Sequence, residues 1–272
     1  MITGFKQIGG AAERGNLFQW QYNGSVISAF WPNEYADASP DVDAAAKTLN
    51  NGVLAAAAEI ASAADRLKRT DEIHAVSSEA TARYVAVPFR YLRDRAIDER
   101  NSVGIARNSL AQPIPLPNPT PFSIAADSLE RQEVRRHLER FKEIGEAYDW
   151  ATRSTGITVL NAIAPSIDLT IFAKDKQLSD LILDEFAVRK IARTFDNPPT
   201  DAQATASDPL KNKMSDDVVR DLAKAQLGGL KLREAAVADA EKLLLAVIAF
   251  SSQAGNLTAD EAFKMLMGRK SA

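Results

Sequence analysis

No cysteine occurs among the 272 residues of this chain. That absence excludes disulfides, thiolate metal sites and a cysteine nucleophile. Histidine is nearly as scarce. His74 and His137 are the only two, so a two-histidine metal site would need both, from distant segments, and neither belongs to a His-x-x-x-His or Glu-x-x-His pair. Long apolar runs are missing too. The longest, Leu243 to Phe250 (LLLAVIAF), falls far short of the roughly 20 residues that span a bilayer. The segment MITGFKQIGG has no charged n-region followed by an apolar stretch, so no secretory signal is expected and a cytoplasmic location is. With 33 basic and 36 acidic residues the net charge is −3, which leaves no global basic field for nucleic acid. The glycine pairs Gly9-Gly10 and Gly228-Gly229 lack the spacing and the Lys-Ser/Thr of a phosphate-binding loop. The adjacent carboxylates Asp184-Glu185 and Asp216-Asp217 would point in different directions on a helix. No catalytic residue, cofactor site or metal site follows from these patterns.

What the chain does have is one period-two segment at the front of a sequence patterned for helix. Leu17 to Trp31 (LFQWQY-NG-SVISAFW) reads as two strands around Asn23-Gly24, a dipeptide suited to a type I′ turn because both central positions need positive φ. A two-residue turn pairs Tyr22 with Ser25, Trp20 with Ile27 and Phe18 with Ala29. One face then carries Phe18, Trp20, Tyr22, Ile27, Ala29 and Trp31, and the other is half polar. An isolated hairpin is marginally stable in water, so the aromatic face needs cover. That cover is either the chain's own helices or another protein, and in the second case Phe18, Trp20, Tyr22, Ile27 and Trp31 form a partner-binding surface.

Ser39-Pro40-Asp41 signals a helix start, with Ser39 as cap. The apolar positions Val42, Ala46, Leu49, Val53, Ala56, Ile60, Ala64 and Leu67 follow at spacings of three and four, an alanine-rich seam that needs a partner helix. A second helical stretch covers about 71–108, with a break expected near Val87 because of Pro88. Five prolines within Pro113 to Pro121 make an extended strap. Asp127 to Glu130 is patterned like a capping box opening a helix to about Arg153. Thr155 to Pro165 is either a strand that completes the hairpin's sheet or a buried connection. Helix resumes from about Ser166 to Phe195. Polar residues and prolines at 196–214 suggest a linker, followed by a long helix from Ser215 and a capped final one at Thr258.

The expected fold is mainly α: a bundle of long, partly alanine-rich helices with an N-terminal β-hairpin. The expected division is an arm and hairpin at 1–38, a main helical domain at 39–195, a linker at 196–214, and C-terminal helices at 215–272 packed on the main body.

Two arginine patterns invite other functions. Arg83, Arg90, Arg93, Arg100 and Arg107 recur at spacings of seven and three, a stripe that could follow a phosphate backbone or serve as a salt-bridged face with its interleaved acids. Arg131 with His137, and Arg69 with His74, have spacings similar to the Arg-x(4–6)-His motif of HEPN-family ribonucleases, which are all-helical. That resemblance covers only these short windows. It implies His137 as general acid or base and Arg131 as phosphate stabiliser at a dimer interface. The primary expectation is a non-enzymatic structural or assembly protein acting on a protein partner or on its own copies, such as a subunit of a phage-like or mobile-element particle. A helical ribonuclease and a nucleic-acid-binding module are the alternatives.

Overall fold

The computed structural model describes residues 14–22, 25–67, 69–116, 118–153, 157–164, 176–195 and 216–268. Among these the fold is mainly α, with ten helices and one two-stranded antiparallel sheet. In chain order the elements are β1 (Gly15–Tyr22), β2 (Ser25–Pro32), α1 (Tyr35–Ala38), α2 (Pro40–Arg66), α3 (Thr70–Tyr84), α4 (Ala86–Ala111), α5 (Pro121–Leu138), α6 (Ile144–Arg153), α7 (Ile157–Ala162), α8 (Lys176–Phe195), α9 (Asp216–Gly255) and α10 (Ala259–Leu266). The chain forms two compact units, one from residues 1–103 and 230–272, the other from 104–229. This differs from the linear division expected from the sequence. Both α4 and α9 run past a unit boundary without a break, and the boundaries fall at Gly104 and at Gly229. The proposed linker at 196–214 lies outside the described residues.

In the first unit the hairpin has the register that its alternation requires: Tyr22 opposite Ser25, Trp20 opposite Ile27, and Phe18 opposite Ala29. The turn at Asn23-Gly24 lies outside the described residues. Phe18, Trp20 and Trp31 are buried in a core with Val42, Leu49 and Val53 of α2 and Val247 and Phe250 of α9. Phe18 stacks on Trp31 at 6.5 Å, Trp31 meets Tyr35 edge-on at 5.2 Å, and Trp20 meets Phe250 at 6.2 Å. Two polar tethers fix the docking. Trp31 Nε1 donates to Asp43 Oδ1 at 2.9 Å, and the Tyr35 hydroxyl donates to Asp239 Oδ2 at 2.9 Å. Burial and the adjacent Asp239 carboxylate push the Tyr35 hydroxyl well above its ordinary range.

The α2 seam is buried at Val42, Ala46, Leu49, Val53, Ala56 and Ile60. After Ile60 the buried position is Ala63, whereas Ala64 and Leu67 are half-exposed. Ala63 continues the strict alternation of four and three that runs through Leu49, Val53, Ala56 and Ile60, whereas Ala64 requires a second consecutive step of four. Gly52 lets α2 approach α3: a Cβ there would lie 2.4 Å from the Tyr84 carbonyl oxygen. Ser39 does not cap α2 through its side chain. Its hydroxyl donates instead to Glu99.

The break expected near Val87 occurs at Val85, and Pro88 sits in the first turn of α4, where its missing amide is tolerated. Thr258 forms the expected capping box with Glu261.

In the second unit two expectations are corrected and one of two open alternatives is closed. Helix α5 starts at Pro121, capped by a Thr120–Ser123 box, so Asp127 is not a cap but a buried residue within the helix, paired with Arg131 at 2.9 Å. The helix expected to reach Arg153 ends at Leu138 and resumes at Ile144. Residues 157–162 are helix α7, so they add no strand to the hairpin. The proline strap is held by Asn161. Its buried amide donates to the Ile114 carbonyl at 2.8 Å and accepts from the Ile114 amide at 2.7 Å. Alternating prolines leave this stretch few backbone donors, so one side chain satisfying both groups of Ile114 anchors it. Lys190 of α8 donates to the Ser109 and Gln112 carbonyls, each at 2.5 Å, and so caps the C-terminal end of α4. Its partial burial holds the ammonium below its ordinary range.

Candidate protein-docking groove

Helix α9 contributes the LLLAVIAF run, which is apolar around its whole circumference. One stripe of it, Leu243, Val247 and Phe250, is buried in the core, and Leu244, Ala246 and Ile248 pack partly buried against that core. At about 100° per residue, Val237, Glu241, Leu244, Leu245 and Ile248 form a second stripe beside the first. On α4, likewise, Phe89, Leu92 and Ala96 face the core, while Arg93, Ile97 and Arg100 lie one side-chain row away. These two second stripes, with Phe263 of α10, line a groove of about 290 Å³ within the first unit. Phe89 is fully buried on its floor and meets Phe263 edge-on at 6.2 Å. On its lips Leu245 is 61% exposed and Ile97 is 37% exposed. Charge stands at two places along α4: Arg93, paired with Asp94, one turn from Phe89, and Arg100 at the other end, which donates to Glu241 at 2.8 Å with both side chains exposed.

The groove thus combines an apolar floor, exposed aliphatic lips and an ion pair at one end. Exposed ion pairs are weakly held, so Arg100 and Glu241 can change partners at little cost.

No protein-family model, curated protein or solved structure matches this chain.

The residues expected as a partner surface are placed differently. Phe18, Trp20 and Trp31 are enclosed by α2 and α9, and Ile27 is partly buried against the same core. This corrects the expectation for those four side chains: the helices behind the hairpin supply enough apolar surface to cover it, so the rings are core. The Tyr22 side chain lies outside the described residues.

Arg131 and His137 are not brought together on a common task. Arg131 holds Asp127, while His137 packs against Trp150 at 4.7 Å and Phe141 at 5.2 Å. Arg69 pairs with Asp71 at 2.9 Å, and His74 Nδ1 lies 2.9 Å from the Ala254 carbonyl. The arginine stripe is divided between helices, Arg83 on α3 and the rest on α4. Arg83 pairs with Glu79, Arg90 donates to the Leu266 carbonyl, and Arg93 pairs with Asp94.

A second cleft in the first unit is polar, about 420 Å³, and lined by Ser39, Arg95, Glu99, Ser102 and Arg233 among others. Arg233 grips Glu99 with two bonds of 2.7 and 3.0 Å and also donates to Ser102. The Arg233 guanidinium and the Ser39 hydroxyl hold the Glu99 carboxyl below its usual range, against the opposing effect of its burial. Its central acid is committed to holding α4, α9 and the start of α2 together. Among the described residues no cluster of three histidine or carboxylate side chains could hold a metal ion, and no helix is long and apolar enough to cross a membrane.

Proposed function

We propose that this protein is a non-enzymatic assembly component that acts through protein–protein contacts, and that the α4–α9–α10 groove is its contact surface. The observation that carries this reading is the pair of exposed aliphatic lips, Ile97 and Leu245, over a floor continuous with the core. Exposed apolar surface rimmed by charge is the usual signature of an interaction site. A subunit of a larger particle, phage-like or from a mobile element, is a setting in which such a surface would serve.

Sedimentation velocity on the purified protein tests the proposal. Wild-type protein is expected to associate as its concentration rises, and Leu245→Asp to weaken that association about a hundred-fold while leaving the far-ultraviolet helical signal unchanged. Leu245 is already exposed, so its charge adds little folding penalty. A protein that stays monomeric at every concentration, with Leu245→Asp indistinguishable from it, would overturn self-assembly through this groove.

A further inference from the structure

The second unit presents an apolar helix face of its own. On α5, Phe122 is 84% exposed and Leu129 is 62% exposed, with Ala126 between them on the same side. Continuing along that side, at eleven and fourteen residues from Phe122, come Glu133 and Arg136, both exposed.

The groove repeats this order in complementary form. Along α4, Phe89 floors one end, Arg93 lines the next turn beside its partner Asp94, Ile97 forms a lip, and Arg100 stands with Glu241 at the far end. Phe89 to Arg100 and Phe122 to Glu133 are both eleven residues, about 16 Å at 1.5 Å per residue. An acid followed by a base on α5 meets a base beside an acid on the groove.

Building on the groove reading above, we infer that the groove's occupant is α5 of a second copy of this chain. It lies parallel to α4, with Phe122 over Phe89 and Phe263 and Leu129 between Ile97 and Leu245. Glu133 then pairs with Arg100, and Arg136 with Glu241. Apolar anchors at i, i+4 and i+7 supply affinity, and the crossed charges fix direction. Because the two surfaces differ, each copy offers its groove to one neighbour and its α5 to another. A head-to-tail contact of this kind closes into a ring or continues as a filament.

Complementation between two crippled chains tests this. Phe122→Ser/Leu129→Ser removes the α5 anchors and leaves the groove; Leu245→Asp does the reverse. Each alone is expected to associate about a hundred-fold more weakly than wild type. Mixed in equal amounts, they are expected to form one 1:1 complex and nothing larger, since only one good groove meets one good helix. Absence of that complex, or a wild-type protein monomeric at all concentrations, overturns the inference. If Leu245→Asp dissociates the assembly but the α5 double variant does not, the groove stands and α5 is not its occupant. If Leu245→Asp has no effect, the groove reading itself falls. Glu133→Arg provides a separate check on register at an exposed position. It should weaken association about ten-fold and be restored by Arg100→Glu in the same chain; failure of that rescue rules out the proposed alignment.

Discussion

Replacing Trp31 by Phe separates core packing from partner binding at the hairpin. The substitution keeps an aromatic ring beside Phe18 and Tyr35 but removes the Nε1 donor that reaches Asp43 Oδ1 at 2.9 Å. Asp43 is itself buried and keeps its 2.8 Å contact to Lys47. A buried hydrogen bond to a charged acceptor contributes about 1.5–3 kcal/mol, and the smaller ring leaves a void that adds about 1 kcal/mol. The expected loss is therefore about 3 kcal/mol, a fall in Tm of roughly 6–12 °C for a domain of this size. Trp20→Phe is the matched control. It lies on the same face and is equally buried, but its Nε1 has no hydrogen-bond acceptor, so removing that donor leaves nothing unpaired and should cost less. Urea unfolding of the two variants, and of Asp43→Ala alone and with Trp31→Phe, completes a thermodynamic cycle. A Trp31–Asp43 coupling above about 1 kcal/mol is expected. Coupling indistinguishable from zero, or a Trp20 variant less stable than the Trp31 one, would refute the assignment of this bond as a docking tether. Unchanged stability with altered association would return Trp31 to the partner surface.

Three further outcomes follow from local geometry. Glu99 has a depressed pKa in the folded chain, so its contribution is fully present above the ordinary value near 4.5 and is lost as pH falls through the lower folded value; Glu99→Gln should therefore destabilise at pH 7, and the gap from wild type should close on acidification well below pH 4.5, whereas a gap that widens there would contradict the sign. The same Gly→Ala substitution should act oppositely at two helix positions: at Gly228 a Cβ meets open space, so stability rises by about 0.5–1 kcal/mol, whereas at Gly52 it meets the Tyr84 carbonyl oxygen and stability falls by about 1–3 kcal/mol in thermal melts. Asn161→Ala strands both backbone groups of Ile114 and should cost about 2–4 kcal/mol, with enhanced proteolysis near the strap; a change under about 0.5 kcal/mol would mean that the strap is held by something else.

Period and punctuation carried most of the local reading. The hairpin register was legible because alternation and Asn23-Gly24 agree, and a one-residue slip would have exposed three aromatic rings. Thr258 was legible as a cap because its partner lies three residues away in sequence. What failed was whatever depended on distant neighbours. Ser39 has every local feature of an N-cap, yet its hydroxyl serves Glu99, sixty residues on. Asp127 looks like a cap, but Thr120 begins the helix earlier and leaves it buried against Arg131. The division into units was hidden because α4 and α9 are continuous helices, and helical periodicity carries no mark where packing partners change.

The groove was missed for a different reason, and its signal was present. A helix docked on one side of a core needs a single apolar stripe, and Leu243, Val247 and Phe250 already provide it. LLLAVIAF is apolar beyond that requirement. Leu244 and Ile248 pack partly buried against the core and also line the groove, and Leu245 stands on its exposed lip. A comparable excess occurs in α5, where Leu138 is buried but Phe122 and Leu129 face outward. Counting apolar stripes against the number that the chain's own core can accept would have placed both surfaces on the list of candidates. An apolar position that periodicity assigns to no core face is, on this argument, a better pointer to a contact surface than an aromatic cluster that another helix can cover.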